Sequence, residues 1–252
     1  MSENIIITRE GRVVTLSIAR LEKKNALTQD MYGAMADALE AYAGNDADRA
    51  LVITGAGDMF TAGNDLTDFA KGDREAEVPP VWRFLNAIRD CPKPVIAAVN
   101  GPGIGIGLTM LLHCDLVYAA ESATLGAPFV KLGLVPEAGS SLLLPAAVGM
   151  AVANDMLLAG RTLSAGEAER FGLVARVFPD AELMESVAEI ARGVAASAPV
   201  AMKLSKGLIR QGHEAVAECM AAESKLFAAQ LQGPEFSESV AAMAGKRAPD
   251  YG

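Results

Sequence analysis

The chain has 252 residues, enough for one large domain or for one domain with a helical appendage. Hydrophobic residues make up 51% of it, so a sizeable core can be buried, and with aromatics at only 5% close helix packing is favoured over an aromatic-lined groove. The formal net charge of −9, without a basic stripe, excludes a generic nucleic-acid binder and leaves room for local binding of an anionic small molecule.

The three cysteines, Cys91, Cys114 and Cys219, form no CxxC pair. An odd number without that spacing argues against a disulfide framework or a zinc–thiolate site, and no HExxH or other metal-ligand spacing occurs. Met-Ser-Glu-Asn-Ile at the start does not read as a signal peptide, and the most apolar stretch, around residues 104–112, contains glycines and is too short to span a bilayer. The cytoplasm is the expected location, with no membrane and no nucleic-acid partner.

In chain order, residues 4–9 and 12–18 read as a hairpin around Gly11. Residues 20–25 form a charged loop, and Thr28 is a plausible cap for a helix to about residue 43, with Met31, Met35, Ala38, Leu39 and Tyr42 at helical spacing. Ala50-Leu51-Val52-Ile53 predicts a buried strand, followed by a loop from Gly55 to Leu66 placed where α/β proteins put ligand contacts. Residues 67–78 are mixed and aperiodic; Pro79 and Pro80 then precede a helix with Val81, Phe84, Leu85 and Ile88.

Residues 91–141 organise the rest. Val95-Ile96-Ala97-Ala98-Val99 predicts a strand, glycines 101, 103, 105 and 107 a sharp turn, residues 106–113 an apolar helix, and Leu116-Val117-Tyr118-Ala119 a second strand. A helix opening at that turn aims backbone N–H groups at an anion or an oxyanion, or else the glycines simply allow tight strand–helix packing. Neither a Walker A loop nor a dinucleotide fingerprint is present. Two helices follow, around Gly149, and Ser164 with Glu167 makes a capping box before a short strand ending near Phe178. Beyond Pro179 only helices are predicted, over 181–196, 200–210, 214–230 and 235–244. The expectation is an α/β core over 1–178 and a helical region over 179–252 that covers a site or builds an oligomer interface.

His113, inside the apolar helix, reads as a packing residue, and His213, at a probable helix start, as a surface one. With GxSxG also absent, acid/base chemistry falls to Asp65, Asp115 and Glu137, which border the glycine-rich segments. The two aspartates can equally anchor loops through backbone N–H groups. Glu137 follows Leu134-Val135-Pro136; burial there would raise its pKa and let it exchange a carbon-bound proton near neutral pH, whereas a solvent-facing loop Glu would do neither.

Taken together, Lys24-Asn25-Ala26-Leu27, Phe60-Thr61-Ala62-Gly63-Asn64-Asp65-Leu66, Pro94 through Gly101, Cys114-Asp115, Leu132-Gly133-Leu134-Val135-Pro136-Glu137 and Gly245-Lys246-Arg247 resemble the enoyl-CoA hydratase/isomerase superfamily, the crotonases, over nearly the whole length. The resemblance implies an α/β fold with a ββα spiral core and a C-terminal helical region, homotrimers often stacked as hexamers, an acyl-CoA thioester substrate and no separate cofactor. It implies an oxyanion hole from the backbone N–H groups of Asn64 and Ile106. Lys24, Ala26, Ala62, Asn64, Asp65, Leu66 and Lys246 match positions that meet CoA or its thioester, Lys246 from a neighbouring subunit or the chain's own arm. Phe69, Trp82, Leu85, Phe129 and Leu134 would line an acyl tunnel.

The two glutamates of the family's hydratases are replaced here by Thr109 and Phe129. The pattern around Gly63–Phe69 and Pro128–Glu137 instead resembles peroxisomal-type Δ3,Δ2-enoyl-CoA isomerases, which place their acid/base carboxylate where Glu137 stands. The expected activity is therefore a 1,3-proton shift in fatty-acid metabolism. An epoxide- or oxepin-CoA isomerase of aromatic degradation, a hydratase and a non-catalytic acyl-CoA-binding protein are the alternatives.

Overall fold

In the computed structural model, which describes residues 2–71 and 79–252, the two N-terminal runs pair as the sequence predicts. Strand β1 (Ile5–Glu10) lies antiparallel to β2 (Val13–Ile18), Ile5 opposite Ile18. Helix α1 (Gln29–Gly44) follows, its Met31 N–H capped by the Thr28 hydroxyl. Strand β3 (Ala50–Gly55) pairs parallel with β2. Helices α2 (Leu66–Lys71) and α3 (Pro80–Asp90) precede β4 (Val95–Val99), which pairs parallel with β3. Residues 67–71 were expected to be aperiodic and Leu66 to end a loop; all are helical because the Asp65 carboxylate accepts the N–H groups of Thr67 at 3.1 Å and Asp68 at 3.2 Å and so supplies the start. Residues 72–78 of that aperiodic segment lie outside the described residues.

After β4 come β5 (Gly103–Ile104), α4 (Ile106–Thr109), β6 (Leu116–Ala120), β7 (Thr124–Gly126), α5 (Ser140–Val148), α6 (Met150–Leu157), β8 (Thr162–Ser164), α7 (Ala165–Arg170) and β9 (Arg176–Phe178). The expected helix over 106–113 is a single α-turn that tightens into a 3-10 turn at Met110–His113. The capping box at Ser164 is present. Strands β5, β7 and β8 were not expected; they are two or three residues long and form a second, three-stranded sheet.

The main sheet runs β1-β2-β3-β4-β6-β9, parallel beyond the first pair. Its central strands are largely apolar because both faces are covered, β4 wholly so and β3 but for Thr54. Leu16, Leu51, Ile53, Val95, Ala97 and Val99 join the larger core with α1 and α3. Val13, Ala50, Val52, Ile96, Ala98 and Tyr118 face the other way, against Leu183, Val187, Ala191 and Ala195 of α8 (Leu183–Ala196). Helices α9 (Pro199–Ile209), α10 (His213–Leu231) and α11 (Pro234–Ala244) complete the chain, and no strand follows β9 among the described residues. Among those residues, no helix is long and apolar enough to cross a membrane.

Candidate active site

The site grows from the tips of β2 and β3. After a 3-10 turn at Leu21–Lys23, Lys24 and Asn25 adopt left-handed conformations, with φ of 51° and 57°. Asparagine tolerates that geometry because its side chain bonds locally. Here the fully buried Asn25 amide donates to the carbonyls of Ala56 at 2.9 Å and Met59 at 2.7 Å, and its Oδ1 accepts the Arg20 N–H at 2.9 Å. The Thr61 hydroxyl donates to the Asn25 carbonyl at 2.7 Å. Residues 24–27 are thereby stapled to the loop after β3.

The two segments then run side by side. Ala62 N–H donates to Lys24 O at 3.0 Å, Leu27 N–H to Gly63 O at 2.8 Å, and Asp65 N–H to Leu27 O at 2.8 Å. The expected CoA-contacting residues Lys24, Ala26, Ala62, Asn64, Asp65 and Leu66 are brought together in this way. Lys246 is not: it is exposed beyond α11, and among the described residues of the single chain no hydrogen bond or ion pair joins it to the others. Arg20 ties the ladder down, donating to Ala26 O at 3.0 Å and to Asp65 at 2.8 Å. The Asp65 carboxyl is held down to about 2, chiefly by the Thr67 hydroxyl and then by Arg20, despite partial burial. A carboxylate that fixed is a loop anchor, the second of the readings its sequence allowed. Asp115 is also an anchor, accepting from Val95 N–H at 2.8 Å, Lys206 at 2.7 Å and Arg210 at 2.9 Å.

A third segment comes alongside. Thr61 and Gly103 form a parallel bridge, and Ile104 N–H donates to Thr61 O at 3.0 Å. That register carries Asn64 toward the level of Ile106. The approach requires glycine at 63: its φ is 97°, and a Cβ there would lie 2.9 Å from the Ile104 carbonyl oxygen. Neither the Asn64 N–H nor the Ile106 N–H donates to any acceptor among the described residues. Two unpaired donors on neighbouring loops can receive a negatively charged oxygen.

Glu137 is tied to α4, the helix that Ile106 opens, and its charge acts on Tyr32, whose hydroxyl holds Asn64. It is only 6% exposed, and Thr109 on α4 donates to its Oε1 at 2.8 Å. Among the described residues no hydrogen bond reaches Oε2. Burial raises the Glu137 pKa to about 7; the Thr109 hydrogen bond opposes that rise and the charge of Glu223 adds to it. A carboxyl so poised can take up and return a proton near neutral pH. Glu137 is followed by Ala138 at φ 59° and Gly139 at φ 73°. A left-handed alanine costs about 1–2 kcal/mol and persists only where its surroundings hold it. His113 is one such support: buried, with Nε2 2.7 Å from the Ala138 carbonyl, it is the packing histidine the sequence suggested.

Tyr32 was missed by sequence reasoning. Its hydroxyl donates to Asn64 Oδ1, its ring lies 5.6 Å from that of Phe84, and burial followed by the Glu137 charge raises its pKa well above the ordinary range. The available signal was a tyrosine on the buried face of α1, where a hydroxyl needs a partner. Of the expected tunnel residues, Leu85, Phe129 and Leu134 are buried and Trp82 half-buried in the larger core. Phe129 meets Phe227 of α10 edge to face at 6.4 Å. The Phe69 side chain lies outside the described residues.

The sequence model of a family described as Enoyl-CoA hydratase/isomerase matches residues 8–252. Over its full length the chain is 35% identical to 2,3-dehydroadipyl-CoA hydratase of Escherichia coli (strain K12), covering 99% of that protein. It is 41% identical over 219 residues to enoyl-CoA delta isomerase 2 of Rattus norvegicus, a match that takes in 84% of this chain and 56% of that protein. Among solved structures, an enoyl-CoA hydratase/isomerase from Pseudoalteromonas atlantica T6c superposes with a TM-score of 0.97 at 52% identity, covering 99% of this chain and 100% of that one.

Proposed function

Because this chain belongs to the enoyl-CoA hydratase/isomerase family and has the crotonase fold, we propose that it moves the double bond of 3-enoyl-CoA thioesters to the 2-trans position. The observation that carries this reading is one buried carboxyl, Glu137, with one oxygen held by Thr109 and the other without a hydrogen bond among the described residues. The thioester oxygen sits at the N–H groups of Asn64 and Ile106. Oε2 of Glu137 removes a proton from C2, and the electron pair spreads over a dienolate whose negative oxygen those N–H groups stabilise. The same Oε2 returns the proton to C4, leaving a C2–C3 double bond conjugated with the thioester. One carboxyl suffices because C2 and C4 are the two ends of one allylic unit. Lys24 and Ala26 border the CoA nucleotide in this reading, Ala62 the thioester, and Lys246 reaches a CoA phosphate across an assembly of copies.

Hydration is the second reading, favoured by the full-length similarity to the E. coli hydratase. It requires a water to be activated and a proton delivered by separate groups. The positions for the family's two hydratase glutamates hold Thr109, whose hydroxyl is spent on Glu137, and the buried Phe129. The deciding experiment compares ultraviolet rates of conjugation of 3-hexenoyl-CoA and of hydration of 2-hexenoyl-CoA. Isomerisation at least ~10²-fold faster is expected, since a missing general acid costs about that much; the reverse ratio overturns the isomerase reading.

Thr109→Val gives a pH test. Its hydrogen bond holds the Glu137 pKa down, so its loss moves the acid limb of kcat/KM above about 7. Activity at pH 7 then falls several-fold and recovers at pH 9, while Thr109→Ser behaves like wild type. An unmoved limb in the valine variant would separate that limb from Glu137.

The family's trimer or hexamer is part of the proposal. Val200, Leu204 and Leu208 lie four residues apart on α9 with Ile209 beside them, all strongly exposed in the single chain. This apolar stripe suits a contact between copies. Leu204→Glu combined with Leu208→Glu is expected to lower the mass read by light scattering; an unchanged mass places the contact elsewhere.

A further inference from the structure

Helix α5 opens directly after the Glu137 turn, and its N-cap, Gly139, has no side chain with which to hold the first N–H groups. A carboxylate from the C-terminal arm does so. Glu223, on α10, is 7% exposed; one oxygen accepts the Gly139 N–H at 2.6 Å and the other the Ser141 N–H at 2.9 Å. The helix lies flat on the turn: a Cβ at Gly139 would stand 3.3 Å from side-chain atoms of both Met220 and Val216. The Ser140 N–H in turn donates to the Glu137 carbonyl at 3.0 Å.

We propose that Glu223 is a positioning residue for Glu137: by gripping the N–H groups on either side of Ser140 it fixes the left-handed Ala138–Gly139 turn and, through it, the direction in which the Glu137 side chain leaves the backbone. The helical arm then does more than cover the core, since it aims the proton-carrying group. The inference rests on the reading of Glu137 as proton carrier for its kinetic consequence, but its geometric part does not.

Several titratable groups surround the turn. Tyr32 reaches toward Glu137 from α1, His113 holds the Ala138 carbonyl, Arg89 on α3 meets the Met220 sulfur at 3.7 Å, and Cys219 lies 3.6 Å from Glu223. Burial pushes both the Tyr32 phenol and the Cys219 thiol up, so neither brings negative charge near pH 7. The charge of Glu223 raises the proton affinity of Glu137, so the grip and the charge act on the same group.

The isosteric Glu223→Gln removes the charge and one of the two acceptors. Two measurements follow on the intact protein: kcat and KM for 3-hexenoyl-CoA across pH, and carbon-13 NMR titration of ligand-free protein labelled at glutamate Cδ. The Glu137 signal is identified by its loss in Glu137→Gln. The expected result is a kcat lower by at least ~10-fold with KM within about twofold, the mark of a group that acts in the transition state, and a Glu137 midpoint below about 7. If Glu223→Gln does not fold, Glu223→Asp carries the test: it keeps the charge and shortens the grip, so kcat falls while the midpoint stays. Unchanged kcat and midpoint in the glutamine variant would overturn the proposal. So would a kcat loss matched by lost CoA binding with the midpoint unmoved, because Glu223 would then only hold the fold. A wild type inactive on 3-hexenoyl-CoA would remove the isomerase reading; a crystal structure of Glu223→Gln in which the Ala138–Gly139 turn has left its left-handed conformation would still support this proposal, and an unmoved turn would overturn it.

Discussion

Glu137→Gln is expected to lower kcat for 3-hexenoyl-CoA by roughly 10²–10⁴-fold, the range for loss of a positioned general base. Glutamine keeps the shape and can still accept from Thr109, so acyl-CoA binding persists and the loss falls on kcat. The same substitution acts on stability in the opposite direction. The folded-state pKa of Glu137, about 7, lies above its ordinary value of 4.5, so the folded chain holds this proton more tightly than the unfolded chain does. The associated stabilisation is complete below the unfolded pKa and is lost as pH rises through about 7. At pH 8 the wild type therefore carries a buried, ionised carboxylate at a cost of roughly 3 kcal/mol, and the glutamine variant does not. Calorimetry should find Glu137→Gln melting higher than wild type at pH 8, with the gap narrowing at pH 5. A variant that is inactive and equally destabilised at both pH values would mean that Glu137 holds the fold and carries no proton.

Gly63→Ala is expected to cost about 10²–10³ in kcat, the price of losing an oxyanion-hole donor. A Cβ at residue 63 meets the Ile104 carbonyl oxygen at 2.9 Å in a backbone at φ 97°. The loops must part, and Asn64, the next residue, moves away from Ile106. The left-handed alanine also destabilises the fold, by about 1–2 kcal/mol. Measuring kcat, KM and the melting temperature together separates the two effects. A variant that melts lower yet keeps kcat within about twofold would remove the Asn64 and Ile106 N–H groups from the mechanism.

How legible all this was in the sequence depended on which interactions carry each element. The long strands were readable from β-branched runs buried on both faces, and α1 and α8 from apolar residues at helical spacing. Strands β5, β7 and β8 were not, because two or three residues such as Gly103-Ile104 have no period and exist through pairing with distant neighbours. Helix α2 was hidden because its start depends on Asp65, a residue equally at home in a loop. In the site, Glu137 stood out as a carboxyl among apolar residues. Its partner Thr109 lies 28 positions earlier, and nothing local links the two. Ala138 gave no signal of its left-handed turn, since alanine is a poor residue for it and the supports come from His113 and Glu223, remote in sequence.

The second face of the main sheet has a consequence for how the chain comes off the ribosome. Val13, Ala50, Val52, Ile96, Ala98 and Tyr118 are all synthesised before their cover, which arrives only with Leu183–Ala195. Until then a nascent chain carrying every strand of the sheet presents a bare oily plane to the cell. Such surfaces are where chains adhere to one another. The synthesis of α8 is thus the moment at which the sheet ceases to be a hazard, and any chain interrupted before it is a substrate for chaperones and proteases before it is a catalyst.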